Sequence, residues 1–147
     1  MLEIRPPQPK DADAIHRINL DSLGYDYPLD ATKVRLMSIL NRPNHHMLIA
    51  ELDGQALGYI HATDYDTSYQ DSLKNILALA VLPSAQGQGV GRALITAIEE
   101  WARQDDSTGV RLVSGFDREG AHAFYQACGY SLRKQQKNFI KYFDPKS

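Results

Sequence analysis

The run NILALAVLPSAQGQGVGRALITAIEEWA, from Asn75 to Ala102, constrains the fold of this chain more than any other stretch. Asn75 to Leu82 is almost continuously apolar, the pattern of a central strand buried on both faces of a sheet. Pro83 ends that strand, because proline cannot donate to a ladder. From Gly91 to Gln104 the spacing becomes helical: Leu94, Ile98, Trp101 and Ala102 form one apolar stripe, while Glu99, Glu100 and Arg103 stay off it. Gly87, Gly89 and Gly91 lie between the two at alternate positions. The stretch therefore reads as a buried strand, a glycine turn and an amphipathic helix.

The rest of the chain extends that α/β pattern. LEIRP is a short strand stopped by Pro6 and Pro7, and residues from about Lys10 to Leu20 follow helical spacing until Gly24. Asp30 is placed to cap a second helix whose Val34, Met37, Ile39 and Leu40 share a side. HMLIAELDGQALGYIHAT is a hairpin folded at Asp53-Gly54, and DYDTSYQD a polar loop after it. GVRLVSG is a further strand, EGAHAFYQACG a helix ended by Gly129, and NFIKYF a last strand. The expectation is one α/β domain over residues 1–147, a mixed sheet of about six to seven strands flanked by about four helices.

Composition excludes several partners. A net charge of −2 offers no basic footprint for nucleic acid. No run approaches the roughly 20 apolar residues that a membrane helix needs. Charges interrupt MLEIRPPQPKDADA where a signal peptide has its apolar centre. The lone Cys128 leaves no internal disulfide and fits a reducing compartment, so a cytoplasmic location is expected. Cys128 sits at a helix end without a histidine pair and reads as structural; His45 and His46 lack metal-ligand spacing with other candidates, so no metal site is expected.

The glycine turn admits more than one reading. It can be a plain connection. It can also bind phosphate, since a helix N-terminus supplies unpaired N–H groups and partial positive charge, glycines let oxygens approach the main chain, and Arg92 adds a cation. The Walker pattern fails, because Arg92-Ala93 follows Gly91 in place of Lys-Ser/Thr. The dinucleotide fingerprint fails too: the spacing is G-x-G-x-G, and Asp105 and Asp106 fall at a helix end rather than a strand end.

Gln86-Gly87-Gln88-Gly89-Val90-Gly91 reads Q/R-x-x-G-x-G/A and follows LAVLP. It resembles the acyl-CoA signature of the GNAT superfamily of N-acetyltransferases. A second block, AHAFYQACGY from Ala121 to Tyr130, resembles the A-x-x-F-Y-x-x-x-G-F/Y segment of that superfamily, and EIRPPQPKDADAI resembles its first strand and helix. The resemblance implies acetyl-CoA as co-substrate, with pantetheine paired to the main chain of Leu79, Ala80 and Val81. It puts the pyrophosphate on the N–H groups from Gly87 to Arg92, Gln88 and Val90 included. Gln86 stands where arginine is more common, which removes one charge contact. Arg118 stands where the family has asparagine and would reach the adenosine 3′-phosphate instead. Phe124 belongs to the same CoA block, although by itself it reads as a core aromatic. Tyr125 matches the general acid that protonates the departing thiolate, a task open to a phenol with pKa near 10.

The implied reaction is direct attack of a primary amine on the thioester, the oxyanion being met by a backbone N–H near Leu79 to Val81. An alkyl amine is about 0.1% neutral at pH 7, so a proton acceptor helps. Many family members place Glu or His four residues before the first pantetheine position; this chain has Asn75, which can orient a water but take no proton. His61, Asp64 and Asp66 are the substitute bases. Acceptor recognition would fall to Tyr25, Asp26, Tyr27, Asp30, His61, Tyr65, Asp66 and Tyr69, aromatic and acidic groups suited to the cationic amine of a small molecule or peptide. Asn75 also motivates an alternative, a non-catalytic module that binds or senses acyl-CoA. Family members are often dimers, so a homodimer is open.

Overall fold

The computed structural model describes residues 1–115 and 118–144. Contacts divide the chain into two units, Met1–Val113 and Ser114–Ser147.

The first unit is built on five strands in the order β1 to β5. These are β1 (Glu3–Arg5), β2 (His45–Leu52), β3 (Gln55–Thr67), β4 (Gln70–Val81) and β5 (Val110–Leu112). Neighbours pair antiparallel except β4 and β5, which are parallel. A 3₁₀ turn at Pro9–Asp11 leads into α1 (Ala12–Ile18), which widens into a π-type turn over Asn19–Leu23 and ends at Gly24 with φ 75°. Helix α2 spans Leu29–Leu40 and α3 spans Val90–Gln104. The β2–β3 turn has Asp53 at φ 51° and Gly54 at φ 81°, the paired positive angles of a type I′ hairpin. Ile18, Ile49, Ile60, Leu94, Ile95 and Ile98 are fully buried between the sheet and the helices.

Cross-strand partners in an antiparallel ladder share a face, so the two sides of the sheet can be assigned. On one side the Tyr59 hydroxyl donates to Asn19 Oδ1 (2.5 Å), which turns Tyr59, His61, Thr63 and Tyr65 of β3 toward the end of α1. On the other side His46 stacks on Trp101 of α3 (4.5 Å between centroids). Lys74, only 2% exposed, lies there with Nζ 4.2 Å from the Trp101 ring and pairs with Asp64 (2.6 Å) and Asp105.

The second unit has one regular element among its described residues, α4 (Glu119–Ala127), ended at Gly129 with φ 94°.

Several expectations need correction. The described sheet has five strands rather than six to seven, because NFIKYF forms none. Its aromatic content favours a strand, but a strand exists only with a ladder partner, and Phe139 and Phe143 are 86% and 92% exposed. DYDTSYQD is no loop: β3 and β4 continue through it to a tight turn at Ser68-Tyr69, and Asp64, Tyr65 and Asp66 are strand residues. β4 is not buried on both faces, since Leu77 is 52% exposed and buried residues do not run continuously along it. Helix α2 begins at Leu29 after Pro28, so Asp30 sits in its first turn rather than capping it. Its inward residues are Thr32 and Leu36, while Val34 and Met37 face solvent.

Candidate active site

The site begins where β4 and β5 part. Their parallel pairing covers Lys74, Asn75 and Ile76 and stops at Leu112. On the β3 side the register jumps between His61↔Ala78 and Ala62↔Ile76, so Leu77 is an extra, bulged residue. From Leu77 to Val81 the far edge of β4 has no strand neighbour among the described residues, and its main-chain groups can pair with an extended amide chain. Leu79 and Val81 turn their main-chain groups to that edge, whereas Ala80, expected to pair as well, turns its carbonyl toward Gly58 of β3. Gly58 of β3 lets the strands approach there: a Cβ at Gly58 would lie 2.7 Å from the Ala80 carbonyl oxygen.

The edge runs into the glycine turn. Pro83–Ala85 make a 3₁₀ turn, and the Gln86 amide donates back to the Val81 carbonyl (3.3 Å). The Gln88 amide similarly reaches Ser84 O (3.4 Å). Gly87 and Gly89 take φ 83° and 84°, where glycine is the easy residue, and a Cβ on either would touch nothing within 4 Å. The requirement is therefore conformational, and the space above the turn is open. The first helical bond runs from Ala93 N–H to Gly89 O (3.0 Å), so the amides of Val90 and Gly91 precede the ladder at the positive end of a 15-residue helix. Arg92 follows in the first turn.

A polar row crosses the α1 side of the sheet beside this edge. His45 Nδ1 and His61 Nε2 are 2.8 Å apart, one donating and the other accepting. Burial, then the neighbouring His45, pushes His61 down to about 4, so it is neutral at pH 7 with one ring nitrogen already engaged. Asn75 stands opposite Thr63 and accepts a hydrogen bond from Arg111 Nη1 (2.7 Å). The Arg111 guanidinium also lies 4.3 Å over the Tyr65 ring. Past the π-type turn, Tyr25 and Tyr27 are exposed, and Tyr25 is close enough to act electrostatically on Tyr59. Asp66 lies farther along β3, its carboxylate accepting from the Ser72 hydroxyl. The row thus brings His61, Asn75 and Tyr65 onto one face; Asp66 is engaged elsewhere on the strand.

Sequence reasoning missed Arg111, Gly58 and the Tyr59–Asn19 bond. The arginine inside the apolar strand VRL was the available signal. Nothing local marked Gly58.

In the second unit Arg118 precedes α4, and its N–H bonds Gly115 O (3.1 Å). Tyr125 packs edge-on to Phe124 (5.5 Å) and Tyr130 (6.3 Å). Burial raises the Tyr125 phenol, partly offset by the Arg118 charge, so it is protonated at neutral pH. Cys128 is half-buried and free. Among the described residues no group of three potential metal ligands converges, and no helix is long and apolar enough to cross a membrane.

An α/β sheet opened between two parallel strands, with a glycine turn and a helix start at the opening, can hold an extended amide arm ending in phosphate. That is the architecture of an acyl-CoA-binding fold. The sequence matches the Acetyltransferase (GNAT) family over residues 12–130, and the chain belongs to that family. It is 28% identical to the aminoalkylphosphonate N-acetyltransferase of Salmonella typhimurium, across 87% of this chain and 84% of that protein. It is also 28% identical to the aminoglycoside N(6')-acetyltransferase type 1 of Stenotrophomonas maltophilia, across 97% and 94%. The structure of AAC(6')-Iy in complex with the bisubstrate analog CoA-S-monomethyl-acetylneamine has the same fold, with a TM-score of 0.84 at 21% identity over 97% of this chain and 99% of that one.

Proposed function

We propose that this protein transfers an acetyl group from acetyl-CoA to the primary amine of a small molecule, and that residues 1–147 act as one catalytic domain. The open edge of β4 running into the Gly87–Gly91 turn carries this reading. Leu79 and Val81 would pair with pantetheine, Ala80 being turned to β3, and the Gly87 to Arg92 amides would hold the pyrophosphate. Gln86 supports the same reading by bracing the Val81 carbonyl, which leaves the Leu79 main chain and the Val81 N–H as the pairing groups. Acetyl-CoA supplies the activated thioester. Tyr125 is assigned as proton donor to the leaving sulfur on the strength of its place in the Ala121 to Tyr130 block and of its protonated state.

No carboxylate or free imidazole occupies the position of Asn75. Asn75 would orient a water for the amine proton, and Tyr25 and Tyr27 would border the acceptor. The relatives named for aminoalkylphosphonates and aminoglycosides support a small-molecule amine over a peptide.

The test is thiol release from acetyl-CoA across an amine panel. Turnover is expected with at least one amine, and Tyr125→Phe should lower kcat by about a hundredfold with CoA affinity retained. CoA binding without acetyl transfer to any amine would reject the enzyme reading and favour a sensing module.

A further inference from the structure

We infer that the acceptor carries an oxyanion, a carboxylate or phosphonate, a few bonds from its amine, and that Arg111 binds it. This deepens the acetyltransferase reading and rests on it for the identity of the second substituent, the amine.

Arg111 differs from the other two inward-facing cations of the first unit. Arg5 has Asp11 and Glu51, and Lys74 has Asp64 and Asp105. Arg111 is half-buried on β5 yet makes no ion pair among the described residues. Its contacts are the Asn75 carbonyl oxygen at 2.7 Å and the Tyr65 ring at 4.3 Å. Both orient the guanidinium without neutralising it. One of its five N–H donors is used by Asn75; the others form a planar fork held in advance, which suits bidentate binding of a carboxylate or phosphonate.

Its position makes this a substrate contact. Arg111 is one residue from the end of β5, where β4 becomes free, and its partners Asn75 and Tyr65 face the α1 side. An anion on Arg111 would place an attached amine beside the start of the open β4 edge. The same cation acts on that amine. By neutralising the acceptor's own oxyanion, the guanidinium removes the attraction that favours the ammonium form and raises the neutral, attacking fraction, which bears on the lack of an acid or free histidine at Asn75. A second ammonium in place of the oxyanion would be repelled by the guanidinium. The site therefore selects zwitterionic amines against polycationic ones.

The experiment compares kcat/KM for four short acceptors of matched length: β-alanine, 2-aminoethylphosphonate, ethanolamine and 1,3-diaminopropane. Wild type should prefer an anionic acceptor over ethanolamine by about tenfold or more, with the diamine poorest. The first two arms show which oxyanion is taken. Arg111→Gln should bring the anionic-to-neutral ratio close to one, and Arg111→Lys should keep part of it, since charge survives but the fork does not. Preference for ethanolamine or the diamine in wild type would overturn the inference. So would an unchanged ratio in Arg111→Gln, even with all rates reduced, because a purely structural tie between β5 and β4 lowers all acceptors alike. If no amine turns over, the acetyltransferase reading fails separately. Calorimetry with β-alanine and 2-aminoethylphosphonate on the CoA-loaded protein then still decides the anion site: binding lost in Arg111→Gln supports it, and no binding to wild type rejects it.

Discussion

At the scale of single residues, Arg5 and Lys74 hold the fold through ion pairs, whereas Arg111 has none among the described residues. Arg5 shows the structural role. Its two terminal nitrogens bond both Asp11 oxygens (2.9 Å each) and Nε bonds Glu51 (2.7 Å). Asp11, 5% exposed, also accepts from the Gln8 backbone N–H (2.6 Å). One guanidinium thereby ties β1, the entry to α1 and β2, and Arg5 keeps the Asp11 carboxyl below the usual carboxylate range. Removing one member of such a pair leaves a buried charge without its partner. Arg5→Leu should lower unfolding stability by about 3 kcal/mol in urea titration, and adding Asp11→Asn should restore part of that loss. Equal stability of Arg5→Leu and wild type would show that the pair contributes nothing net. In the sequence, Asp11 resembled one more helix position, because its partners lie far away along the chain.

At the scale of elements, the decisive object is the β3–β4 pair, held together on one side and released on the other. The bulge at Leu77 and the early stop of β5 at Leu112 create the free edge. The turn that follows was legible, since alternate glycines between an apolar and an amphipathic run leave few other readings, and α3 lies almost where its stripe predicts. The length of β3 was not. DYDTSYQD is polar because that part of the hairpin pairs its main chain while its side chains meet solvent or one another, so polarity there was mistaken for irregular structure. Gly58 was equally silent, because its importance comes from β4 rather than from any neighbour in sequence. Gly58→Ala would press a Cβ against the Ala80 carbonyl on the β3 side of β4 and displace the strand whose opposite edge is assigned to pantetheine. We expect a loss of about 1–3 kcal/mol in stability, together with a raised KM for acetyl-CoA and a smaller change in acceptor KM. Equal effects on both substrates would argue that the strain spreads beyond β4.

For the whole molecule, the glycine turn and the aromatic block together pointed to the family. The acceptor side was far less legible, because it is assembled from separate strands: His45 meets His61, and Arg111 meets Asn75 and Tyr65, only through sheet register. The same register buries titratable groups on both sides of the sheet, which gives the fold a pH dependence. His61 is pushed down to about 4 by burial and by His45. His46, against Trp101 and near Lys74, is lowered as well, chiefly by burial. A histidine whose folded pKa lies below its unfolded value near 6.5 takes up its proton more readily when the chain unfolds. Its neutral form therefore supports the fold fully above about pH 6.5, and that support is lost as pH falls toward 4. For His61 the loss amounts to about 3 kcal/mol over this window, with His46 adding in the same direction. Asp11 acts lower: its contribution is present above its unfolded value near 4 and is lost below it. Urea unfolding at steps from pH 7.5 to 4 should show wild-type stability flat above pH 6.5 and falling below it. His61→Gln, which keeps a hydrogen-bonding partner for His45 but does not titrate, should flatten most of that slope even if its stability at pH 7 is lower. An equally steep slope in His61→Gln would mean that the acid sensitivity originates elsewhere than in the histidine pair.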